Sequence, residues 1–422
     1  MNCKREKRKH KNSQQLKQER AEHKKKYLNR IRALCSAVGC EHVYNLIPRE
    51  EQDKIYRHRI FPFKFTVAEG NEISGKVLSD IRMLSDYIFK DVLLAVTESG
   101  VQLSLYELYT IGLNFFEYLN SLKIEQYPDA PKVKELQMKF IPMNKLFIEA
   151  DTTLRMYMSG VCFGSCDLIS RIYWMKHSFS VDKQKPEGII NLMEVHSHIP
   201  EKIYDCKDNV YRPAFKVCKG FAETGIKHFR LDQEQLGIIG MPGNSFVEIY
   251  IQAHALQRIK ERLDCMMQFY QNLYLINSIS SIKIHKETRD RFLIEYKISE
   301  IKIGYLAADL SDGKLIIRTF LFITQHGTPE GNKLAELYGL GKLDKSYLEL
   351  DKLSTFLTTD MCSNAELREV FQQAGCQYLL DIFVDNRIKS MCDIHSKQSS
   401  VMEIVKYLGL ERKNDILNKK PA

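Results

Sequence analysis

The sequence predicts an α+β fold behind a basic tail, and three observations carry that expectation. Apolar residues recur at helical spacing through most of residues 27–122 and again after residue 328. Four β-branched and aromatic runs follow one another between Ser281 and Thr324, the last two joined by Asp312-Gly313, a hairpin signal. Residues 1–32 hold 13 Lys or Arg against three acids, whereas the remaining 390 residues carry 49 basic and 50 acidic groups. The formal charge of +9 therefore sits in the tail, and the body is close to neutral.

The tail, residues 1–26, has no apolar periodicity. It is expected to be disordered or a solvated extension of the helix behind it. From Tyr27 the residues Leu28, Ile31, Leu34, Cys35 and Val38 fall on one helical side, with Gly39 as the stop. Short helices are expected around Val43–Ile47 and Ile55, and extended chain over residues 60–70. A helix follows from Lys76 to Val96. Ser104 and Glu107 form a capping box that starts another helix, running to about Leu122. Prolines between Tyr127 and Pro131 end this helical region, 27–127.

Residues 128–244 form an α+β region. Short β-like runs stand at Lys145–Glu149, Leu154–Met158 and Ala214–Cys218. A helix is expected between Cys166 and His177, and turns at Gly160, Gly164, Gly220 and Met241-Pro242-Gly243-Asn244. Residues 245–327 form a small antiparallel sheet with helices. The strand Ser245–Ile251 enters the helix His254–Leu263, a second helix follows, and strands come at Ser281–His285, Arg291–Ile298, Ile301–Asp309 and Lys314–Thr324. Residues 328–410 return to helices, with Thr328-Pro329 as one start, Ser363 and Glu366 as a second capping box, and Gly375 as a stop. Residues 411–422 are a polar end.

Composition excludes several classes. Hydrophobic content of 44% and charged content of 27% are those of a globular protein. The 11 cysteines are scattered, without the dense framework of a secreted disulfide scaffold. No apolar run reaches the roughly 18 residues of a membrane span, and no apolar segment follows the basic N-terminus as in a signal peptide. A cytoplasmic protein without membrane contact is expected. Neither a Gly-rich phosphate loop nor a Gly-x-Ser-x-Gly elbow is present. Thiol and imidazole sets occur at Cys35-x4-Cys40 with His42, at Cys162-x3-Cys166, and at His196-x-His198 with Cys206 and Cys218, yet none has paired zinc-knuckle spacing. No metal and no cofactor are expected.

Two features point to partners. The tail cations, Lys4, Arg5, Lys7, Arg8, Lys9, Lys24, Lys25 and Lys26 among them, suit nucleic-acid phosphates or the acidic surface of another protein. The helix AHALQRIKERLD places Ala255, Leu256, Ile259 and Leu263 on one face and His254, Gln257, Arg258, Glu261 and Arg262 on the other. That polar face suits phosphate binding by Arg258 and Arg262, with His254 as a proton carrier. It equally suits an ordinary surface helix with an Arg258–Glu261 pair.

The order of strand, His-Ala-x-x-Arg-x-x-x-Arg helix and successive strands resembles small ribonuclease toxins of the RelE and BrnT kind, over residues 246–326. The remainder resembles uncharacterised bacterial proteins. The resemblance implies metal-independent attack of an RNA 2′-hydroxyl on the adjacent phosphate, and it carries over to His254, Arg258 and Arg262 alone. By position in the strands, Lys314, Arg318 and His326 join them as nucleic-acid contacts. The reading from sequence is an RNA- or DNA-associated protein, its ribonuclease activity open. The alternative is a non-enzymatic protein whose tail binds an acidic partner.

Overall fold

Two units organise the chain: Met1–Val161 with Met175–His196, and Cys162–Trp174 with Ser197–Ala422. The computed structural model describes residues 13–181, 187–207, 209–237, 246–288, 290–393, 401, 404 and 405. Lys4, Arg5, Lys7, Arg8 and Lys9, the turn at Met241–Asn244, and residues 411–422 lie outside these. The fold is α+β.

The first unit opens on α1 (Ser13–Ala37), so residues 13–26 are a solvated helix and not a disordered tail. Their mutual repulsion is offset by acids: Arg20 pairs with Glu187 at 3.2 Å, Lys24 with Asp53, and Lys26 with Glu22 at 2.7 Å. Tyr27, Ile31, Leu34 and Cys35 are buried as the spacing requires. Next come α2 (Glu41–Tyr44), α3 (Arg49–Arg57), β1 (Lys64–Val67) and α4 (Gly75–Asp91). The helix expected to reach Val96 ends at Asp91, and residues 93–95 form β2 (Leu93–Ala95), paired with β3 (Gln102–Ser104).

The Ser104–Glu107 capping box forms, with both of its hydrogen bonds, and starts α5 (Leu105–Glu107). A π-helical turn, Leu108–Gly112, leads into α6 (Leu113–Ser121). Buried Asn114 on α6 donates to the Tyr27 hydroxyl at 2.7 Å and to the Ile55 carbonyl at 2.9 Å, which ties α6 to α1 and α3. Pro131 stands in the first turn of α7 (Ala130–Glu135), where a proline lacks no needed N–H, so it begins a helix instead of ending one.

Helix α8 (Met143–Ser165) replaces the strands expected at 145–149 and 154–158 and the turns at Gly160 and Gly164. Leu146, Ala150, Leu154, Met158 and Val161, buried at intervals of three or four, are its inner stripe. Residues 172–181 are a strand, β4 (Ile172–Val181), where a helix was expected. The β-branched and aromatic run Ile172-Tyr173-Trp174 suits a sheet better. It joins β5 (Ile189–His198) and β1 in one three-stranded sheet, with β1 parallel to β5.

The second unit is built on an eight-stranded sheet. Its strands are β6 (Lys202–Lys207), β7 (Val210–Lys216), β10 (Arg230–Asp232), β11 (Phe246–Gln252), β12 (Ile284–Lys286), β13 (Arg291–Ile298), β14 (Ile301–Ser311) and β15 (Lys314–Phe322). A separate hairpin, β8 (Cys218–Phe221) and β9 (Gly225–His228), lies between β7 and β10 in the chain. The sheet is larger than the one expected, and mixed, because β11 and β15 pair in parallel. Its path is β12-β13-β14-β15-β11-β7-β6, with β10 also on β11.

Asp312 and Gly313 both have positive φ, the geometry of a tight hairpin. The connection from β11 to β15 carries α9 (Ala253–Arg262) and α10 (Gln268–Ser280), then β12 to β14. Helix α9 packs along β15 with Ala255, Ile259 and Leu263 buried. The C-terminal helices are α11 (Pro329–Tyr338), α12 (Lys342–Tyr347), α13 (Leu353–Thr358), α14 (Ala365–Ala374) and α15 (Asn386–Ser390). Thr328 caps α11 as expected. For α14 the cap is Asn364, not Ser363, since the Asn364 side chain accepts from the Leu367 N–H at 2.9 Å. Gly375 closes α14 in the left-handed conformation. Among the described residues no helix is long and apolar enough to cross a membrane.

Candidate functional site: a polar seam and a cationic cleft

The polar residues of α9 meet three groups of partners in turn. At the entry, buried Gln252 donates to the Asp205 carboxylate of β6 at 3.0 Å. Asp205 also pairs with Arg318, which reaches Asp309 of β14 through its Nε at 2.6 Å. Arg318 is the extra residue of a β-bulge, for Ala307 faces Thr319 and Ala308 faces Ile317. A bulge re-aims one side chain, here towards the carboxylates. Lys207 also pairs with Asp309, so two cations and two carboxylates close on one another.

In the first turn of α9, His254 is half-buried. Desolvation, then the nearby Arg258 and Arg212, hold its pKa below the usual histidine value, so it is neutral near pH 7. Arg258 pairs with Glu261 at 2.6 Å, and Gln257 donates to the same carboxylate at 3.0 Å. At the end of the helix, Arg262 pairs with Asp351, whose side chain is 4% exposed. The Gln325 amide also donates to Asp351, at 3.4 Å. His326 is exposed and lines a cavity of about 280 Å³ with Arg262 and Asp351.

The six residues singled out on this helix and its strands are thus divided. Arg262 and His326 share a cavity. His254 and Arg258 stand together one turn earlier, and Arg318 belongs to the network at the entry. Lys314 lies apart, four residues upstream on β15 and so about 13 Å away, beside Glu248 in the β11 register. The geometry departs from the expectation in one respect: Arg258, Arg262 and Arg318 each have a carboxylate within reach. Phosphate would have to displace an anion already in place. In α1, Lys24 and Lys26 are likewise paired, and Lys25 is exposed.

A second basic surface was not singled out from sequence. Lys219, Lys227, His228 and Arg230 line a cleft of about 550 Å³ bounded by β8–β10 and the end of α10. Among the described residues no carboxylate lines it. Lys219 and Lys227 stand directly opposite in the β8–β9 register. Like charges at that spacing are unfavourable for a hairpin by themselves. The Lys219 ammonium lies 4.5 Å from the Phe221 ring centroid and 5.0 Å from that of Phe229, and its Nζ donates to Ser280 at 2.9 Å. Burial and the neighbouring Lys227 lower its pKa. Burial, then Lys216, lowers that of His228.

The hairpin is held close by Gly220: a Cβ there would come 2.0 Å from the Tyr173 carbonyl oxygen. The sequence signal was present, because Lys219-Gly-Phe221 and Lys227-His-Phe229-Arg230 interleave cations with aromatics. Among the described residues no three His, Cys, Asp or Glu side chains gather where they could hold a metal ion, so His196, His198, Cys206 and Cys218 do not form one site. Comparison with protein-family models, with curated proteins and with solved structures finds no match to this chain.

Proposed function

We propose that this protein associates with RNA or DNA in a reducing, cytoplasmic setting, and that its phosphate contacts are made by the cleft of Lys219, Lys227, His228 and Arg230. One observation carries the reading: four basic side chains converge on a cleft that no described carboxylate lines, and two of them are stacked on phenylalanines. Cations left unmatched in a cleft focus potential on anionic ligands. Half-buried rings beside them, with Phe229 in the lining of the cleft, suit unpaired bases. The cysteines among the described residues are all free thiols, which fits the reducing setting.

Helix α9 supports binding less and cleavage less still, since its arginines are matched by Glu261 and Asp351. Binding without cleavage is therefore the favoured form of the proposal.

The test is fluorescence anisotropy with a labelled single-stranded RNA and DNA over a range of salt. Affinity is expected to fall with log[salt] at a slope of about −0.7 per phosphate contacted. Phe229→Ala and Lys227→Ala are expected to weaken it several-fold. An acidic polypeptide that binds as tightly as RNA, with no effect of Phe229→Ala, would establish the acidic-partner alternative. Cleavage of that RNA without metal, lost in a folded His254→Ala variant, would restore the ribonuclease reading.

A further inference from the structure

Two cysteines far apart in the chain meet where α9 gives way to α10. Met266, in that junction, stands directly opposite Cys392, just past α15, in an antiparallel bridge. The Met267 N–H donates to the Met391 carbonyl at 3.1 Å, and the Asp393 N–H donates to the Cys265 carbonyl at 2.8 Å. Residues opposite each other inside such a pair of bonds have Cα atoms about 4.5 Å apart. Cys265 is one strand step from Met266, which sets its Cα about 5.5 Å from that of Cys392, within the range a disulfide spans. The two thiols hydrogen-bond to one another. That bond, ahead of burial, raises the pKa of Cys265, and it holds Cys392 below the ordinary cysteine value, so Cys265 is the donor and Cys392 the acceptor. Both residues are partly open to solvent. Cys35, Cys162, Cys166, Cys218 and Cys376 are instead buried, and burial raises the pKa of each. Thiols of that second kind are inert, whereas an accessible thiol of lowered pKa beside a second cysteine is reactive.

We propose that Cys265 and Cys392 are an oxidation site, a dithiol that hydroperoxides convert to a disulfide. The Cys392 thiolate attacks a peroxide oxygen and becomes a sulfenic acid. The O–O bond breaks, and the departing oxygen takes up a proton to leave as water or an alcohol. The Cys265 thiol, giving up its proton, then attacks the sulfenic sulfur. The S–S bond forms, and hydroxide leaves with that proton as water. Two electrons pass from the thiols to the peroxide. The product joins the α9–α10 junction to the end of α15 by a covalent bond where the reduced protein has hydrogen bonds. Exchange with a small thiol restores the dithiol, so in a reducing compartment the pair rests reduced and its disulfide is transient. Neither cysteine lines the cleft at Lys219, so this inference stands or falls separately from the proposal made for that cleft.

The experiment treats the reduced full chain with stoichiometric hydrogen peroxide, digests it without reduction and reads the linked peptides by mass spectrometry. A Cys265–Cys392 peptide is expected from monomeric protein, formed at least tenfold faster than in the same chain unfolded in urea. The oxidised protein is expected to melt several degrees above the reduced one, because the cross-link closes a loop of about 130 residues in the unfolded chain. Dithiothreitol should reverse that shift. Cys265→Ser keeps a hydroxyl donor to Cys392, so a sulfenic acid is expected to persist at Cys392 and to be trapped by dimedone. Cys392→Ser is expected to show neither the linked peptide nor trapping at Cys265. Both variants, near-isosteric and partly exposed, should melt with reduced wild type. No linkage would overturn the proposal, as would linkage confined to covalent dimers, a different partner for either cysteine, or equal rates in the folded and unfolded chain.

Discussion

The two basic surfaces of the second unit differ in what answers their charge. Along α9, Arg258 meets Glu261, Arg262 meets Asp351, and Arg318 meets Asp205 and Asp309. At the β8–β10 cleft, Lys219, Lys227 and Arg230 meet aromatic rings, a serine hydroxyl and open space. The first arrangement uses cations to bind parts of the chain to one another. The second leaves them without a carboxylate among the described lining residues. A motif of regularly spaced arginines does not separate these cases: Glu261 is visible beside Arg258, but Asp205, Asp309 and Asp351 come from elsewhere in the sequence.

The largest expected effect is at the seam. Asp351→Ala leaves the Arg262 guanidinium without its buried partner, a loss of about 3–5 kcal/mol. A fall of many degrees in the thermal midpoint checks it. Replacing both groups with apolar residues, Arg262→Met with Asp351→Leu, is expected to recover most of that loss. If the single variant melts like wild type, the seam is not structural, and the contrast with the cleft is void.

Gly220→Ala is expected to cost less, about 1–3 kcal/mol, because a Cβ 2.0 Å from the Tyr173 carbonyl must push the hairpin away. It should weaken RNA binding as well, since Lys219 is the next residue. Denaturant unfolding followed by anisotropy separates the two effects.

Smaller again in stability are Lys227→Ala and Arg230→Ala. Both residues are exposed, and each change is expected to lie within about 0.5 kcal/mol of wild type. Each should nevertheless reduce the salt slope of single-strand binding by about 0.7. Arg258→Ala should leave that slope unchanged, and the opposite ranking would exchange the roles assigned to helix and cleft.

The smallest effect is a pH dependence. Burial lowers the pKa of His198, of His228 and of His254. The unfolded chain, with histidines near 6.5, then takes up protons first on acidification. The stability these histidines contribute is full above that value and declines as pH falls through the lowered folded values. Around His228 the facing charges are Lys216, Arg230 and Glu248, and the other imidazole is His198. A phosphate in the cleft would offset the cations, so binding should strengthen as pH falls from about 8 to 6. His228→Gln should flatten that profile.

Much of the fold could be read from local pattern. The amphipathic stripe of α9, the capping box at Ser104, the Asp312-Gly313 turn and the left-handed stop at Gly375 all depend on residues within one or two turns of each other. What failed was cut too short or depended on distance. Lys145–Glu149 and Leu154–Met158 look like strands as five-residue windows. Over 20 residues, the repeat from Leu146 to Val161 is a helix stripe. Residues 172–177 look helical until their neighbours in the sheet are known. At the candidate sites, His254, Arg258 and Arg262 were visible because they share a helix. Asp205 and Asp351 were not, because no spacing rule links residues so far apart in the chain. The cleft was hidden for a similar reason: Lys219 and Lys227 become opposite only once the hairpin between them is closed.

The parallel pairing of β11 with β15 also bears on how the protein is made. Arg262 leaves the ribosome well before Arg318, and Asp351 later still. At about 5–20 residues per second, that delay lasts several seconds. Until β15 is made the nascent chain carries β11 without its parallel neighbour, and until Asp351 is made it carries Arg262 without that counter-ion. The half-finished unit therefore exposes a strand edge and cationic surface together, a combination that invites chaperone capture. A ribosome that pauses before residue 351 would lengthen that exposure more than a pause anywhere after it.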